Sequence, residues 1–230
     1  MTTFDSLLAR TAVASPLPFD LNTERGIRLD LSEHNRALDR FDPGDTAAFG
    51  AFIQGEINRQ GARYAAGGYA ENRTLYAMSS VFGTGSSSEP RTLHLGIDLW
   101  LEAGMAIHAV LGGVVHSTQD NASFGDYGPT LILEHALEGE RLFTLYGHLA
   151  QPTLQRTQPG QRIERGELLG WLGAPHENVG WPPHLHFQLM RDLGGRSGDY
   201  PGVARPSEAA EWLANCPDPN LLLRIRALEL

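Results

Sequence analysis

Two histidines separated by one residue, His184 and His186, lie in the segment 182–189, Pro-Pro-His-Leu-His-Phe-Gln-Leu. Polar and apolar residues alternate along this segment, which is typical of a β-strand with one apolar face. On such a strand both imidazoles point to the same side, about 6–7 Å apart at a rise of roughly 3.3 Å per residue. The pair could therefore serve one site, as a metal ligand and its neighbour. A solvated strand face is the alternative that this pattern alone leaves open.

A second candidate strand spans residues 91–100, Arg-Thr-Leu-His-Leu-Gly-Ile-Asp-Leu-Trp. With a period of two, His94 and Asp98 share the polar face of this strand. Gly96 lies between them and has no side chain that would block an ion. A surface ion pair between the histidine and the aspartate is the alternative to a role in a metal site.

A third candidate strand spans residues 143–149, Phe-Thr-Leu-Tyr-Gly-His-Leu. The alternation predicts that Tyr146 and His148 share its polar face, although His148 could also be a hydrogen-bonded core residue. Tyr146 and Gln188 share faces with site residues, so each is expected either to line the cleft or to pack in the core. Three amphipathic strands that carry histidine or aspartate are hard to explain by solvation alone, and they indicate one shared site.

Other features of the chain follow the same order as a known family of enzymes. The succession His-x-x-x-Asp, Gly-His-Leu and His-x-His resembles that of the lysostaphin/LytM-type zinc metallopeptidases. The glycine-punctuated stretches at 104–115, 126–135 and 160–173 look like the turns and strands of that family. The resemblance covers roughly residues 74–192 and rests on three separately placed motifs in the right order.

The resemblance implies a site with one Zn²⁺ per chain. It assigns His94, Asp98 and His186 as ligands, and zinc accepts such a set while it keeps a fourth position for water. It assigns His148 and His184 to proton transfer and to stabilisation of the oxyanion. An imidazole with a pKa near 6.5 suits proton transfer at neutral pH. The sequence has no HExxH motif, whose glutamate would otherwise be the general base.

The fold is predicted to be mainly β. Short strands separated by Gly, Pro, Asn and Asp turns run from residue 91 to residue 190. The resemblance implies a duplicated-hybrid, β-sandwich-like antiparallel core. We predict an N-terminal helical extension over residues 1–68. A segment of that size would be only marginally stable as a separate domain, so it is expected to pack on the catalytic domain. That domain is predicted to span residues 69–230.

Smaller elements are also predicted from local signals. Asp45 is predicted to cap a helix over residues 46–60. Near the C-terminus, Ser207 is predicted to cap a short helix over residues 208–215. Two further expectations concern a flexible loop at residues 84–88, Thr-Gly-Ser-Ser-Ser, and a final strand or tail over residues 220–230.

Composition limits the class of protein. The 230 residues carry a net charge of −9 from 18 basic and 27 acidic residues, with no basic run, so no nucleic-acid partner is expected. The single cysteine, Cys216, excludes an intrachain disulfide and is compatible with a reducing compartment. No apolar run approaches the ~20 residues of a membrane span, and the first residues lack a secretory signal. A cytoplasmic protein with no membrane partner is therefore expected.

Three segments, at residues 67–76, 181–184 and 215–220, look like a signal-less subset of the family. We therefore expect a zinc hydrolase whose substrate is a peptide, a peptidoglycan fragment or a small amide. Two alternatives stay open. One is a metal-retaining, non-hydrolytic ligand-binding or regulatory module of a metabolic multi-enzyme system, and the other is a metal-free structural domain. The sequence does not indicate which oligomeric state the chain adopts.

Overall fold

A computed structural model describes residues 3–42, 45–73, 89–123 and 125–229 of the chain. The helices are α1 (Thr3–Arg10), α2 (Thr46–Arg59), α3 (Pro152–Arg156), α4 (Ala209–Asn215) and α5 (Asn220–Leu223). The strands are β1 (Gly26–Leu29), β2 (Tyr64–Gly67), β3 (Leu93–His94), β4 (Ile97–Trp100), β5 (Ala106–His108), β6 (Gly113–Asn121), β7 (Gly128–Leu137), β8 (Glu140–Gly147), β9 (Arg162–Ile163), β10 (Leu168–Trp171), β11 (His184–Met190) and β12 (Val203–Ala204). Short 3-10 helices span Arg36–Leu38, Pro206–Glu208 and Arg226–Leu228.

One large sheet organises the described part of the chain. Its eight strands follow the order β1-β2-β4-β11-β8-β7-β6-β9, and every neighbouring pair is antiparallel except β1 and β2, which are parallel. Two smaller sheets pair β10 with β5 and β12 with β3. The mainly β fold with an antiparallel core and a short C-terminal helix is thus confirmed.

The strands β4, β11 and β8 are adjacent in the large sheet, so the three stretches that carry the candidate site residues lie side by side. In β4 and β11 the apolar residues alternate with the polar ones, as the sequence predicts. Ile97, Leu99, Leu185, Phe187 and Leu189 are fully buried in the main core. Burial of that face anchors the register of each strand, since a slip by one residue would exchange the apolar and polar faces.

Residues 3–67 contribute helices and strands to the same body. The predicted helix is observed as α2, and the Asp45 carboxylate accepts a hydrogen bond from the amide of Ala48 at its N-terminus. Phe49, Ile53 and Ile57 recur on one face of α2 and are buried, which is the spacing of an amphipathic helix. The strands β1 and β2 extend the large sheet beyond β4. The domain boundary at residue 68 stays a prediction.

Two local predictions near the C-terminus are wrong. Ser207 does not cap α4, because it lies inside the preceding 3-10 turn and binds Glu89 through its amide and hydroxyl groups. Residues 220–229 form α5 and a 3-10 helix instead of a strand, because the apolar residues Leu222, Leu223 and Ile225 are buried in the main core beside α1. The loop predicted at residues 84–88 lies outside the described residues. Over the described ranges, no helix has both the length and the apolar character needed to cross a bilayer.

Candidate metal centre

His94, Asp98 and His186 meet on the polar side of the central strands. Asp98 on β4 lies directly opposite His186 on β11, as antiparallel partners. His94 ends β3 and reaches the same side across a break in the strand at Leu95 and Gly96. The break brings the backbone of Gly96 against the ring of His186, where an added Cβ would lie 2.7 Å from Cε1 and Nε2 of that ring. Glycine therefore lets the two strands approach closely enough to share one centre.

Three side-chain atoms of this cluster lie at nearly equal distances from one another. Nε2 of His94 is 3.1 Å from Nδ1 of His186 and 3.3 Å from Oδ1 of Asp98. Nδ1 of His186 is 3.1 Å from the same carboxylate oxygen. In a tetrahedral zinc site with bonds near 2.0–2.1 Å, ligand atoms lie about 3.3–3.4 Å apart. The three atoms therefore have the spacing of three corners of such a site.

The hydrogen bonds of the two histidines direct their lone pairs to the centre of the cluster. Nδ1 of His94 lies 3.1 Å from the carbonyl oxygen of Gly68, which can only accept, so Nδ1 carries the proton. Nε2 of His186 lies 2.9 Å from Oε1 of Gln188. The Gln188 amide is oriented by its own NH₂ group, which donates to the carbonyl of Pro201 at 3.1 Å. Each imidazole is thus deprotonated at the nitrogen that faces Asp98, as a metal ligand must be.

Asp98 is ionised in this setting. The carboxylate is buried, which opposes ionisation, but the neighbouring His94 and the Arg73 guanidinium outweigh burial and hold its pKa well below the usual range. Nη1 of Arg73 donates to Oδ2 of Asp98 at 2.5 Å. Burial, followed by the Arg73 charge, lowers the pKa of His94 to about 4 although Asp98 opposes the shift. A neutral imidazole beside a charged carboxylate is the form that binds a divalent cation.

His184 lies beside this cluster without belonging to it. Its Nδ1 donates to the carbonyl of Pro182 at 2.7 Å, so the lone pair is on Nε2, which lies 3.9 Å from Oδ1 of Asp98. Burial lowers the pKa of His184 to about 4, and the Asp98 charge offsets only part of this effect. At neutral pH His184 is therefore a neutral proton acceptor that faces the metal cluster.

His148 packs against His184, with the ring centroids 4.1 Å apart. It follows β8 directly and has a left-handed backbone with φ of 59°, and its amide donates to the carbonyl of Tyr127 at 2.9 Å. Burial is the main cause that lowers the pKa of His148 well below its usual value. The charge that His184 would carry when protonated is the second cause. The buried Nδ1 of His148 has no hydrogen-bond partner among the described residues.

Tyr146 does not share the face of His148, contrary to the alternation of the sequence. It lies opposite Phe187 in the register, packs on that ring at 5.2 Å and accepts a hydrogen bond from the amide of Val110. The predicted shared face is wrong because the regular strand β8 ends at Gly147. The left-handed backbone at His148 then changes the direction of the His148 side chain. Of the two residues with open roles, Tyr146 therefore packs in the core and Gln188 orients His186.

A cavity of about 190 Å³ opens beside the cluster. Its wall on the side of the cluster consists of His94, His148, His184, His186, Tyr127 and Trp181. Charged side chains of Arg91, Asp126 and Asp199 line another part of it. Burial and the Asp199 charge raise the pKa of Asp126. The cavity therefore combines the candidate metal cluster with polar groups that can orient a substrate.

Several residues of the site carried no periodic signal in the sequence, although Gly68 and Arg73 lie in the stretch 67–76 that looks like a subset of the family. Gly68 and Arg73 precede the first histidine motif and show no alternation with it. Tyr127 and Trp100 are aromatic residues of a kind that packs in any core. Only Glu71 and Arg73, as charged residues in an otherwise uncharged stretch, could have indicated a buried ion pair.

Part of the chain is similar to known peptidases. Residues 92–199 match the model of Peptidase family M23. The L-Ala–D-Glu endopeptidase of Bacillus subtilis (strain 168) is 26% identical over 127 residues, which are 53% of this chain and 37% of that relative. The chain thus spans little more than a third of the length of that curated relative.

Part of the chain is also similar to solved structures. The catalytic domain of the antimicrobial peptidase lysostaphin from Staphylococcus simulans is 20% identical, with a TM-score of 0.35 over 52% of this chain and 80% of that chain. A zinc-containing peptidase from Vibrio cholerae is 26% identical, with a TM-score of 0.36 over 43% of this chain and 27% of that chain.

The range matched by the family model contains the five residues that the sequence singled out. His94, Asp98, His148, His184 and His186 all fall between residues 92 and 199. The structure brings these five side chains together beside the cavity, which the four histidines line, and their chemical roles stay predictions. The match over residues 92–199 supports an assignment of this part of the chain to peptidase family M23.

Proposed function

We propose that this chain is a zinc-dependent peptidase that hydrolyses a peptide or related amide bond, with one ion held by His94, Asp98 and His186. The observation that carries this proposal is the convergence of two imidazole lone pairs and one carboxylate oxygen, 3.1–3.3 Å apart, in a buried cluster. The match to a peptidase family supports it. Two nitrogens and one carboxylate oxygen are a donor set that catalytic zinc takes.

Zinc in such a site supplies an activated water molecule as nucleophile and polarises the carbonyl that is attacked. In this chain, Nε2 of His184 would accept the proton of that nucleophile, since it carries a lone pair and faces the cluster. The low pKa of His184 keeps it unprotonated at neutral pH, and the bond from Nδ1 to Pro182 holds its ring in place. His148, stacked on the same ring, would contact the oxygen of the scissile carbonyl.

A peptide derived from peptidoglycan is the first substrate to test. The curated relative is named for a bond between L-Ala and D-Glu, and the cavity of this chain offers both a cationic and two anionic side chains for a charged peptide. Other small peptides and simple amides are the next candidates. The cytoplasmic location and the absence of a nucleic-acid partner stay predictions from the sequence, and cell fractionation would test the first of them.

The test combines metal content with turnover. Elemental mass spectrometry of the purified wild type is expected to find about one zinc per chain, and Asp98→Ala is expected to lose it. The wild type, but not the zinc-free protein, is then expected to hydrolyse at least one member of a panel of muropeptides, dipeptides and amides. Failure of the wild type to bind zinc on titration would refute the proposal.

His184→Gln separates catalysis from metal binding. Glutamine keeps a hydrogen-bonding side chain but cannot accept a proton, so turnover is expected to fall by about 100-fold or more while zinc stays bound. Zinc bound with no turnover on any substrate, in the wild type as in His184→Gln, would favour the non-hydrolytic ligand-binding module instead.

A further inference from the structure

Residues 64–73, called here the 64–73 segment, lie outside the range that matches the peptidase family, yet they contact the metal cluster at two points. The carbonyl of Gly68 accepts from Nδ1 of His94 at 3.1 Å. The guanidinium of Arg73 binds the carboxylate of Asp98. Two of the three candidate ligands are thus oriented by groups that precede the family domain in the chain.

Backbone pairing fixes this segment against both strands that carry those ligands. As β2, it pairs with β4, where Gly67 lies opposite Asp98. It then crosses to β3, where the amide of Ala70 donates to the carbonyl of His94 and the amide of His94 donates to the carbonyl of Glu71. The amide of Arg73 donates to the carbonyl of Thr92 at 2.8 Å. The side chain of Arg73 is therefore delivered to Asp98 by a continuous set of backbone hydrogen bonds.

Arg73 is held at both sides of its guanidinium. Its side chain is 1% exposed, Nη1 donates to Oδ2 of Asp98 at 2.5 Å, and Nε donates to Oε2 of Glu71 at 2.6 Å. The other oxygen of Glu71 accepts from the amide of Leu31 at 3.2 Å. A buried line of contacts thus runs from Leu31 in the N-terminal region, through Glu71 and Arg73, to the carboxylate of the cluster.

We infer that Arg73 is a positioning residue that makes Asp98 a one-oxygen ligand, and that the 64–73 segment is an integral part of the metal centre. This inference rests on the proposed function. A carboxylate can offer a metal one oxygen or both. Here Oδ2 accepts a hydrogen bond from the guanidinium, and Oδ1 lies 3.1–3.3 Å from the two imidazole nitrogens. A bound zinc would then keep one coordination position for water, which a catalytic zinc requires.

The charge of Arg73 and its orienting effect act in opposite directions on metal affinity. A buried cation near the cluster repels a divalent ion, so the removal of that charge alone would tighten zinc binding. Loss of an outer hydrogen bond that orients a ligand typically weakens metal affinity by about 10–100-fold. The direction of the change therefore distinguishes an orienting residue from a nearby charge.

The experiment measures zinc affinity of the full chain by competition with a coloured chelator. Arg73→Gln is expected to weaken zinc binding by about 10-fold or more, by analogy with other outer-shell substitutions. Arg59→Gln is the matched control, because it removes an arginine from an exposed ion pair with Glu56. The control is expected to bind zinc as the wild type does.

A spectroscopic readout follows the same variants loaded with Co²⁺ in place of zinc. If Oδ2 of Asp98 becomes free to bind, the visible absorption of the Co²⁺ protein is expected to change toward higher coordination in Arg73→Gln and to stay unchanged in Arg59→Gln. If Arg73→Gln does not fold, Glu71→Gln is the second variant. It keeps the arginine but weakens its support at Nε, so a smaller loss of affinity, of a few-fold, is expected.

The outcomes separate this inference from the proposed function. Suppose that the wild type binds zinc, and that the variants at positions 71 and 73 bind it as tightly or more tightly and have the wild-type Co²⁺ spectrum. This result would overturn the role of Arg73 and leave the peptidase proposal intact. A wild type that binds no zinc would overturn both. Weaker binding together with a changed spectrum would support the inference.

Discussion

The imidazole of His184 stacks on the indole of Trp100, with ring centroids 4.0 Å apart and an interplanar angle of 22°. The two residues lie opposite each other in the pairing of β11 with β4. Together with the hydrogen bond from Nδ1 to Pro182, this contact fixes the ring in the direction of the metal cluster. Trp100 therefore positions the candidate proton acceptor through ring stacking.

Replacement of the indole should impair turnover more than metal binding. In Trp100→Leu, His184 loses its stacking partner, and a misplacement of about 1 Å can cost up to about 100-fold in rate. We expect kcat to fall by about 10-fold or more while the zinc content stays near that of the wild type. Steady-state kinetics and elemental analysis on the same preparation measure both quantities.

Phe49→Leu is the control for lost packing. Phe49 of α2 contacts the edge of the Trp100 ring at 5.9 Å, and its ring makes no stacking contact with His184. We expect this variant to lose unfolding free energy of about 1–2 kcal/mol with nearly unchanged kcat. Equal losses of kcat in Phe49→Leu and Trp100→Leu would show that general loosening, not the stacked ring, is responsible.

Gly96→Ala tests the close approach of β3 to His186. An added Cβ would lie 2.7 Å from the His186 ring and 2.8 Å from the carbonyl oxygen of Phe187, so the ring or the backbone must shift. Overpacking of this kind costs about 1–3 kcal/mol, and displacement of a ligand should also weaken zinc binding. Thermal unfolding with and without zinc measures both effects.

Gly55→Ala serves as the comparison for that variant. Gly55 lies within α2, and no atom lies within 4 Å of the position of its added Cβ. Alanine there is expected to raise the free energy of unfolding by about 0.5–1 kcal/mol, since glycine weakens helix interiors. If both variants behave alike, then Gly96 has no special role in the approach of the strands.

Period-two alternation predicted that His184 and His186 share one strand face and that His94 and Asp98 share another, and the family resemblance placed the four residues in one site. The alternation works because β4 and β11 are regular and their apolar faces are buried in the main core. It failed at His148, where the strand ends in a left-handed residue. The order of residue types does not indicate such a turn, because a histidine adopts a positive φ only where its surroundings stabilise it.

Arg73 and Gly68 lie beyond any periodic argument. Their contacts depend on the way in which the segment after β2 crosses from β4 to β3, which no local signal specifies. One of the two contacts is a backbone carbonyl, and any residue type supplies that group. The apolar stripe of α2 was predictable, whereas the joining of β1 and β2 to the edge of the large sheet depends on long-range pairing.

His135 should make the stability of the fold sensitive to acid. It is buried, with Nδ1 beside the carbonyl of Gly112 at 2.9 Å and Nε2 beside the hydroxyl of Thr144 at 2.8 Å, and burial lowers its pKa. In the unfolded chain the His135 imidazole has a pKa near 6.5. Below that pH, this residue therefore binds more protons in the unfolded chain than in the folded one. Stability from this group is therefore present above pH 6.5 and is lost as the pH falls toward the lowered pKa of the folded state.

The expected effect is a shallower acid slope in His135→Gln. Glutamine can donate to Gly112 and accept from Thr144, but it does not titrate. The free energy of unfolding of the zinc-free protein should thus fall less steeply below pH 6.5 than in the wild type. Parallel slopes in the wild type and His135→Gln would contradict the prediction.

Cys216 should be unreactive in the folded protein. Its side chain is fully buried, its sulfur lies 3.5 Å from the amide nitrogen of Gln188, and burial raises the pKa of the thiol to about 12. The thiolate is the form that attacks disulfide reagents, so almost none is present at neutral pH. We expect less than one-tenth of the thiol to react with an aromatic disulfide in the folded state, and all of it in denaturant. Because Gln188 also orients His186, rapid reaction of the folded protein would indicate an opening of the support behind the metal cluster, and loss of zinc should then accompany it.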